Sequence, residues 1–171
     1  MKHLTLIRHA KSSWDDTSLS DFERPLNARG QRDAPRMGAH LKAAGLPPVD
    51  RIVSSPARRA RMTAEAIAAA LEMESAAVVW EQTIYAASFQ TLLQLVQNLN
   101  EADGHVILIG HNPGFEQLAR RLYPDFEGDG VKFPTCGVAH FALEAGTWAA
   151  VSDGSAASCR FSYPKMLMAN G

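Results

Sequence analysis

Cysteine is scarce in this chain of 171 residues, with only Cys136 and Cys159 present. Two cysteines do not make a disulfide scaffold, and these lack both C-x-x-C spacing and a nearby histidine pattern. Two reduced thiols in a cytoplasmic protein are therefore expected. Long apolar runs are missing too. Nothing approaches the roughly 20 residues that a membrane-spanning helix needs. The N-terminal MKHLTLIRHA carries a charged residue inside its one apolar run and no small-residue cleavage pattern behind it, which argues against a signal peptide. Nor is there an excess of charge. Seventeen basic against eighteen acidic residues leave a formal charge of -1, so the broad cationic surface required for nucleic-acid binding is not expected, and any positive field must be local. The phosphate-binding G-x-x-x-x-G-K-[ST] loop is absent, no G-x-G-x-x-G follows the first apolar run, and GHNPG lacks the serine of a nucleophile elbow. No H-x-x-x-H spacing offers paired metal ligands.

What is present suits one globular domain over residues 1–171. With 46% hydrophobic and 20% charged residues, the chain can bury one sizeable core. Apolar runs alternate with helix-period segments, the pattern of an α/β fold with a largely parallel sheet. Strands are predicted at 3–8, 51–54, 77–80 and 105–109. Between them, Ala60, Ala64, Ile67, Ala68 and Leu71 form one helical stripe, and Phe89, Leu92, Leu93, Val96 and Leu99 form another. Phe115, Leu118, Ala119 and Leu122 form a third, which Pro124 stops. A helix near 31–44 contains Pro35, so it either starts close to Gly30 or is kinked. After Gly137, VAHFAL and TWAAVS read as a hairpin across Glu144 to Gly146, with SCRFSYP as a last strand.

Two of the predicted strands end in histidine, His9 after LTLIR and His111 after VILIG. Ligands in open α/β sheets bind at the carboxyl ends of strands, so both imidazoles should reach one rim. RIVSSPARRA delivers arginines to the same rim. Ser55 reads there as an N-cap and Pro56 as the first helical residue, with Arg58 and Arg59 in the first turn. Cations at that end oppose the helix dipole, at about 0.3–1 kcal/mol per charge unless an anion intervenes. Phosphoryl transfer needs such a set: a nucleophile and fixed positive charge around three oxygens. Arginine suits the second task because its planar fork donates two parallel hydrogen bonds. His9 is the candidate nucleophile, since a neutral imidazole nitrogen can attack phosphorus. His111 is assigned to the phosphoryl oxygens. Asn112 caps the next helix, Pro113 opens it, and Asn112 is counted with the phosphate-binding residues. His3, His40, His105 and His140 have no comparable setting and read as ordinary histidines.

Arg8-His9-Ala10, Ser55-Pro56-Ala57-Arg58-Arg59-Ala60 with Thr63-Ala64, and Gly110-His111-Asn112-Pro113 together resemble the histidine phosphatase superfamily, the phosphoglycerate-mutase-like enzymes. RHAKSSW, the RPLNARG segment at 24–30 and the late GHNPG are most similar to its SixA-type phosphohistidine phosphatase branch. The resemblance implies a Rossmann-like three-layer α/β/α sandwich whose mostly parallel sheet carries antiparallel edge strands. It implies that His9 is the phosphorylated nucleophile, and that Arg8, Arg59 and His111 form the phosphate pocket, with Arg59 selected over Arg58 because it directly precedes Ala60. It implies no metal or organic cofactor. The expected partner is a phosphorylated protein, such as a histidine-phosphotransfer domain in signal transduction, or else a small phosphoester. Three departures stand out. Ala10 replaces the usual glycine, Asp15 occupies a position where relatives carry Asn, and Glu81 lies four residues before Tyr85 rather than three. Glu81 is still the candidate general acid. Its altered spacing suits a phosphoramidate, whose leaving imidazole needs less acid assistance than an alkoxide. The alternatives are a small-molecule phosphomonoesterase with the same chemistry and a phosphate- or phosphoprotein-binding module without turnover.

Overall fold

The structure, a computed structural model, describes residues 1–126 and 132–169. Its elements in chain order are β1 (Lys2–Arg8), α1 (Ala28–Ala43), β2 (Arg51–Ser54), α2 (Arg58–Ala70), β3 (Val78–Trp80), α3 (Phe89–Gln97), β4 (His105–Gly110), α4 (Gly114–Leu122), β5 (Val138–Leu143), β6 (Ala156–Ser162) and α5 (Pro164–Ala169). One six-stranded sheet has the order β3-β2-β4-β1-β5-β6. The first four strands pair in parallel, while β5 runs antiparallel to β1 and β6 antiparallel to β5.

Alternation along the two central strands divides the core between the faces of the sheet. Leu4, Leu6, Val106 and Leu108 pack with α3 and α4, against Phe115, Leu118 and Trp148. Ile7, Ile107 and Ile109 pack the other way, against Met37 of α1 and Ile67 of α2. The result is the expected three-layer α/β/α sandwich. Because both faces are covered, all six residues of β4 are buried, and that strand reads as a continuous apolar run. Among the described residues no helix is long and apolar enough to cross a membrane.

The fold departs from expectation in four places. TWAAVS is not a strand: Trp148–Ala150 make a single 3-10 turn, and β5 pairs with β6 instead. Glu101 accepts the Trp148 and Ala149 N–H groups, and the buried indole donates to the Asp103 carbonyl, so local caps and one large side chain outweigh strand propensity. Helix α1 starts at Ala28 under an Asn27 cap, which leaves Pro35 in its interior rather than in the first turn. Helix α2 starts at Arg58, with Ala57 rather than Ser55 at its N-cap. Helix α4 starts at Gly114, one residue later than expected.

Candidate active site

Strands β1 and β4 are paired with Arg8 opposite Gly110, so the residues that follow them meet at one rim. The His9 N–H donates to the Gly110 carbonyl, and the His9 and His111 ring centroids lie 5.2 Å apart. Their neighbours at the same rim come from α2, from the segment between β1 and α1, and from the segment before β5.

His9 is nearly buried, and its Nδ1 lies 2.7 Å from the Ala10 carbonyl. A carbonyl can only accept, so Nδ1 carries the proton and Nε2 keeps its lone pair. Burial pushes the His9 pKa down to about 3, opposed by the Ala10 hydrogen bond and reinforced by His111, Arg59 and Arg8. The backbone around the ring is tied on both sides. Ala10 N–H donates to Thr63 Oγ1, which donates to the Arg59 carbonyl, and Cys136 N–H donates to the carbonyls of Arg8 and His9.

His111 Nε2 pairs with Ser55 Oγ at 2.8 Å, while its Nδ1 is buried without a partner. Burial and then Arg59 lower its pKa to about 4. Tyr85 meets the His111 ring edge-on at 5.5 Å. Ser55, expected to cap α2, still accepts an N–H there, that of Ala57.

Of the three arginines at the start of α2, only Arg59 is buried, whereas Arg58 is half-buried and Arg61 exposed. Its terminal nitrogens donate to the Asp21 carbonyl at 2.6 Å and the Asp21 carboxylate at 3.0 Å, and its Nε has no partner. Arg8 donates to the Phe133 carbonyl and likewise keeps a buried, unpaired Nε. Burial lowers the Arg8 pKa, with Glu116 opposing. Asn112 donates to the same Phe133 carbonyl and accepts the Glu116 N–H. Both polar ends of its side chain thus help to hold the rim together.

Sequence reasoning missed a ring of polar residues around this cup. Asp21 accepts from Arg59, from Arg24 and, at 2.6 Å, from the Tyr85 hydroxyl. These bonds, the Tyr85 one foremost, hold its carboxyl down at about 2. Arg24 also donates to Ser12 and lies 3.5 Å from the Trp14 ring centre. Arg24 stood in the RPLNARG segment and Tyr85 served only as a spacing marker, whereas Asp21 opens a single 3-10 turn, Asp21–Glu23, with no pattern to single it out. The Glu81 carboxylate accepts from the Thr83 hydroxyl and N–H. Asp15 is exposed.

Three nitrogens of this rim are therefore buried without a hydrogen-bond partner: Arg8 Nε, Arg59 Nε and His111 Nδ1. A buried polar group left unsatisfied costs about 1–3 kcal/mol. An anion with several oxygens would satisfy them together, next to a neutral imidazole nitrogen with a free lone pair.

The model of the histidine phosphatase superfamily (branch 1) matches residues 4–82. An uncharacterized protein of Mycobacterium tuberculosis is 33% identical over 166 residues, spanning 93% of this chain and 100% of the relative. An uncharacterized chloroplastic protein of Arabidopsis thaliana is 34% identical over 155 residues, 86% of this chain and 69% of that one. The chain belongs to the histidine phosphatase superfamily, and that membership supports a phosphatase activity. Within it, the chain falls in the SixA-like branch. The candidate phosphohistidine phosphatase SixA of Agrobacterium tumefaciens superposes with a TM-score of 0.77 at 27% identity, over 95% of this chain and 98% of that one. The fold is shared with the protein histidine phosphatase SixA in complex with tungstate, with a TM-score of 0.73 at 24% identity over 94% of each chain.

Proposed function

We propose that this chain, acting as one domain over residues 1–171, removes phosphate from protein phosphohistidine through a covalent intermediate on His9. The observation that carries this reading is the His9 tautomer: Nδ1–H is spent on Ala10, and Nε2 keeps its lone pair at a rim where Arg8 Nε, Arg59 Nε and His111 Nδ1 are buried without partners. In the first step Nε2 attacks phosphorus, the substrate's N–P bond breaks, and the electron pair leaves with the substrate imidazole. In the second, water attacks the phosphorylated His9, releasing inorganic phosphate and restoring Nε2. Arg8, Arg59 and His111 hold the phosphoryl oxygens, whose negative charge the two guanidiniums offset. Asn112 supports Arg8 through their shared carbonyl.

The choice of an N–P substrate rests on what surrounds the site. Asp21 is held ionised and cannot donate a proton at neutral pH, and Glu81 is bound to Thr83. An imidazole protonated on its second nitrogen leaves as a neutral molecule and needs no acid. The two free cysteines suit a reducing, cytoplasmic location.

Radiolabelled phosphohistidine protein should leave label on the wild type in a rapid acid-free quench and none on His9→Ala, with turnover in that variant reduced on the order of 10³-fold or more. A wild type that binds phosphoprotein but is never labelled would be a binding module. A large kcat/KM preference for small phosphoesters over phosphohistidine protein would make the chain a phosphomonoesterase.

A further inference from the structure

Helices α1 and α5 carry a group of charges that the phosphate pocket does not use. In ARGQRDAPRMGAHLKA the cations Arg29, Arg32, Arg36 and Lys42 stand against one acid, Asp33. The spacing i, i+3, i+7 sets Arg29, Arg32 and Arg36 along one stripe of the helix. Asp33 is buried, and its Oδ2 lies 3.4 Å from Arg29 Nε without a hydrogen-bond partner. Lys165 joins the stripe from α5. Together these residues rim a surface depression of about 380 Å³ whose apolar lining comes from Pro164 and Met168. Among the described residues, Arg32, Arg36 and Lys165 make no ion pair. Met168 is 64% exposed and so is available to an apolar side chain of a partner.

Arg32, Arg36 and Lys165, like charges on one face of a chain whose formal charge is -1, repel one another. The helix that carries Arg32 and Arg36 begins against the segment that follows His9. Asn27, which caps α1, donates its N–H to the carbonyl of Lys11, two residues beyond His9. Gly30 lies so close to that carbonyl that a Cβ would overlap it. Arg29 to Arg36 extends the stripe about 10 Å along the helix from that junction, at 1.5 Å per residue.

Resting on the function proposed above, we infer that this stripe is a docking surface for an acidic protein face that carries the phosphohistidine. Carboxylates of the partner pair with Arg32, Arg36 and Lys165, and an apolar side chain enters beside Pro164 and Met168. Such rim charges act mainly on encounter rate and orientation, so their effect falls as salt rises. A stripe only a few residues wide with an apolar floor fits a protein face better than the regularly charged, fully polar backbone of a nucleic acid.

The test uses the triple variant Arg32→Glu, Arg36→Glu, Lys165→Glu, and a charge-neutral version with glutamine at the same exposed positions. The probes are a histidine-phosphotransfer domain of net negative charge, phosphorylated chemically with phosphoramidate, and free phosphohistidine. Against the domain, kcat/KM of the glutamate variant should fall about tenfold or more through KM and lose its salt dependence. Hydrolysis of free phosphohistidine should stay at the wild-type rate. The glutamine version should fall between wild type and glutamate variant on the domain. Equal losses on both probes, or no loss on the domain, would overturn the inference. Binding of the unphosphorylated domain to each variant, at low and high ionic strength, needs no turnover. A wild type that hydrolyses neither probe would end the functional reading, while this binding series still decides the surface. Wild-type binding that is salt-insensitive or unchanged in the variants would refute it, as would tighter binding of duplex DNA or anionic vesicles at the same residues.

Discussion

A single carbonyl decides what His9 can do. With Nδ1–H given to Ala10, the ring keeps one tautomer, and burial keeps it neutral at a pH where an exposed imidazole would be half protonated. This has a kinetic consequence. The pKa values of His9 and His111 stand at about 3 and about 4. Once the substrate's own titration is subtracted, the acid limb of kcat/KM is therefore expected near pH 4 rather than near the free-histidine value of about 6.5. A limb at the higher value would mean that His9 is solvated in the free enzyme. Legibility at this scale was uneven. His9, His111, Arg8 and Arg59 carried a pattern of strand ends and helix starts. Asp21 acts through a carboxylate brought to Arg59 across 38 positions of sequence, and no local pattern announces such a contact.

The elements obey local chemistry where it is strong. Asn27 caps α1 as a short polar side chain should, and Phe115, Leu118, Ala119 and Leu122 are all buried as their spacing requires. Pro35 shows the reverse: it removes the N–H that would donate to Gln31, yet the helix continues because Ala34, Met37 and Leu41 bury the opposite face. Gly30 is the tightest link between an element and the site, since a Cβ there would meet the Lys11 backbone, which no rotamer change relieves. Gly30→Ala is expected to cost about 1–3 kcal/mol and to lower kcat by displacing the segment after His9. Asn27→Ala should lose only the cap, about 1 kcal/mol. Urea midpoints and steady-state rates for the two variants check this, and equal rates would uncouple α1 from the site.

Across the whole molecule, histidines occupy both ends of the sheet. Away from the candidate site, Thr5 stands between His105 and His140, with its hydroxyl 2.8 Å and 2.9 Å from their rings, and His3 stacks on His140. Burial, then the neighbouring His105, pushes the His140 pKa down to about 3, and burial also lowers His105. These three were read as ordinary histidines because only the tertiary fold brings them around one threonine. The stability consequence has a definite sign. In the unfolded chain histidines take up protons near pH 6.5, while His9, His111 and His140 in the folded chain do so only near 3, 4 and 3. Between those values the unfolded state binds more protons, so stability holds above about pH 6.5 and falls as pH drops through the window. Asp21, with its carboxyl at about 2, adds a further loss at still lower pH. Urea midpoints measured from neutral pH downward should show this decline, and a flat profile between neutrality and pH 5 would contradict the burial of these rings.

Periodicity, caps and strand ends are properties of neighbouring residues, so the chain alone determined the α/β alternation, the four parallel strands and the placement of His9, His111 and Arg59 at turns. Choosing β6 over TWAAVS as the partner of β5, threading Pro35 through α1 and bringing Asp21, Arg24 and Tyr85 around Arg59 depended on contacts between distant segments. Tertiary packing made those choices, because burial energy is shared among surfaces that sequence keeps far apart and can override the weaker preference of any one segment.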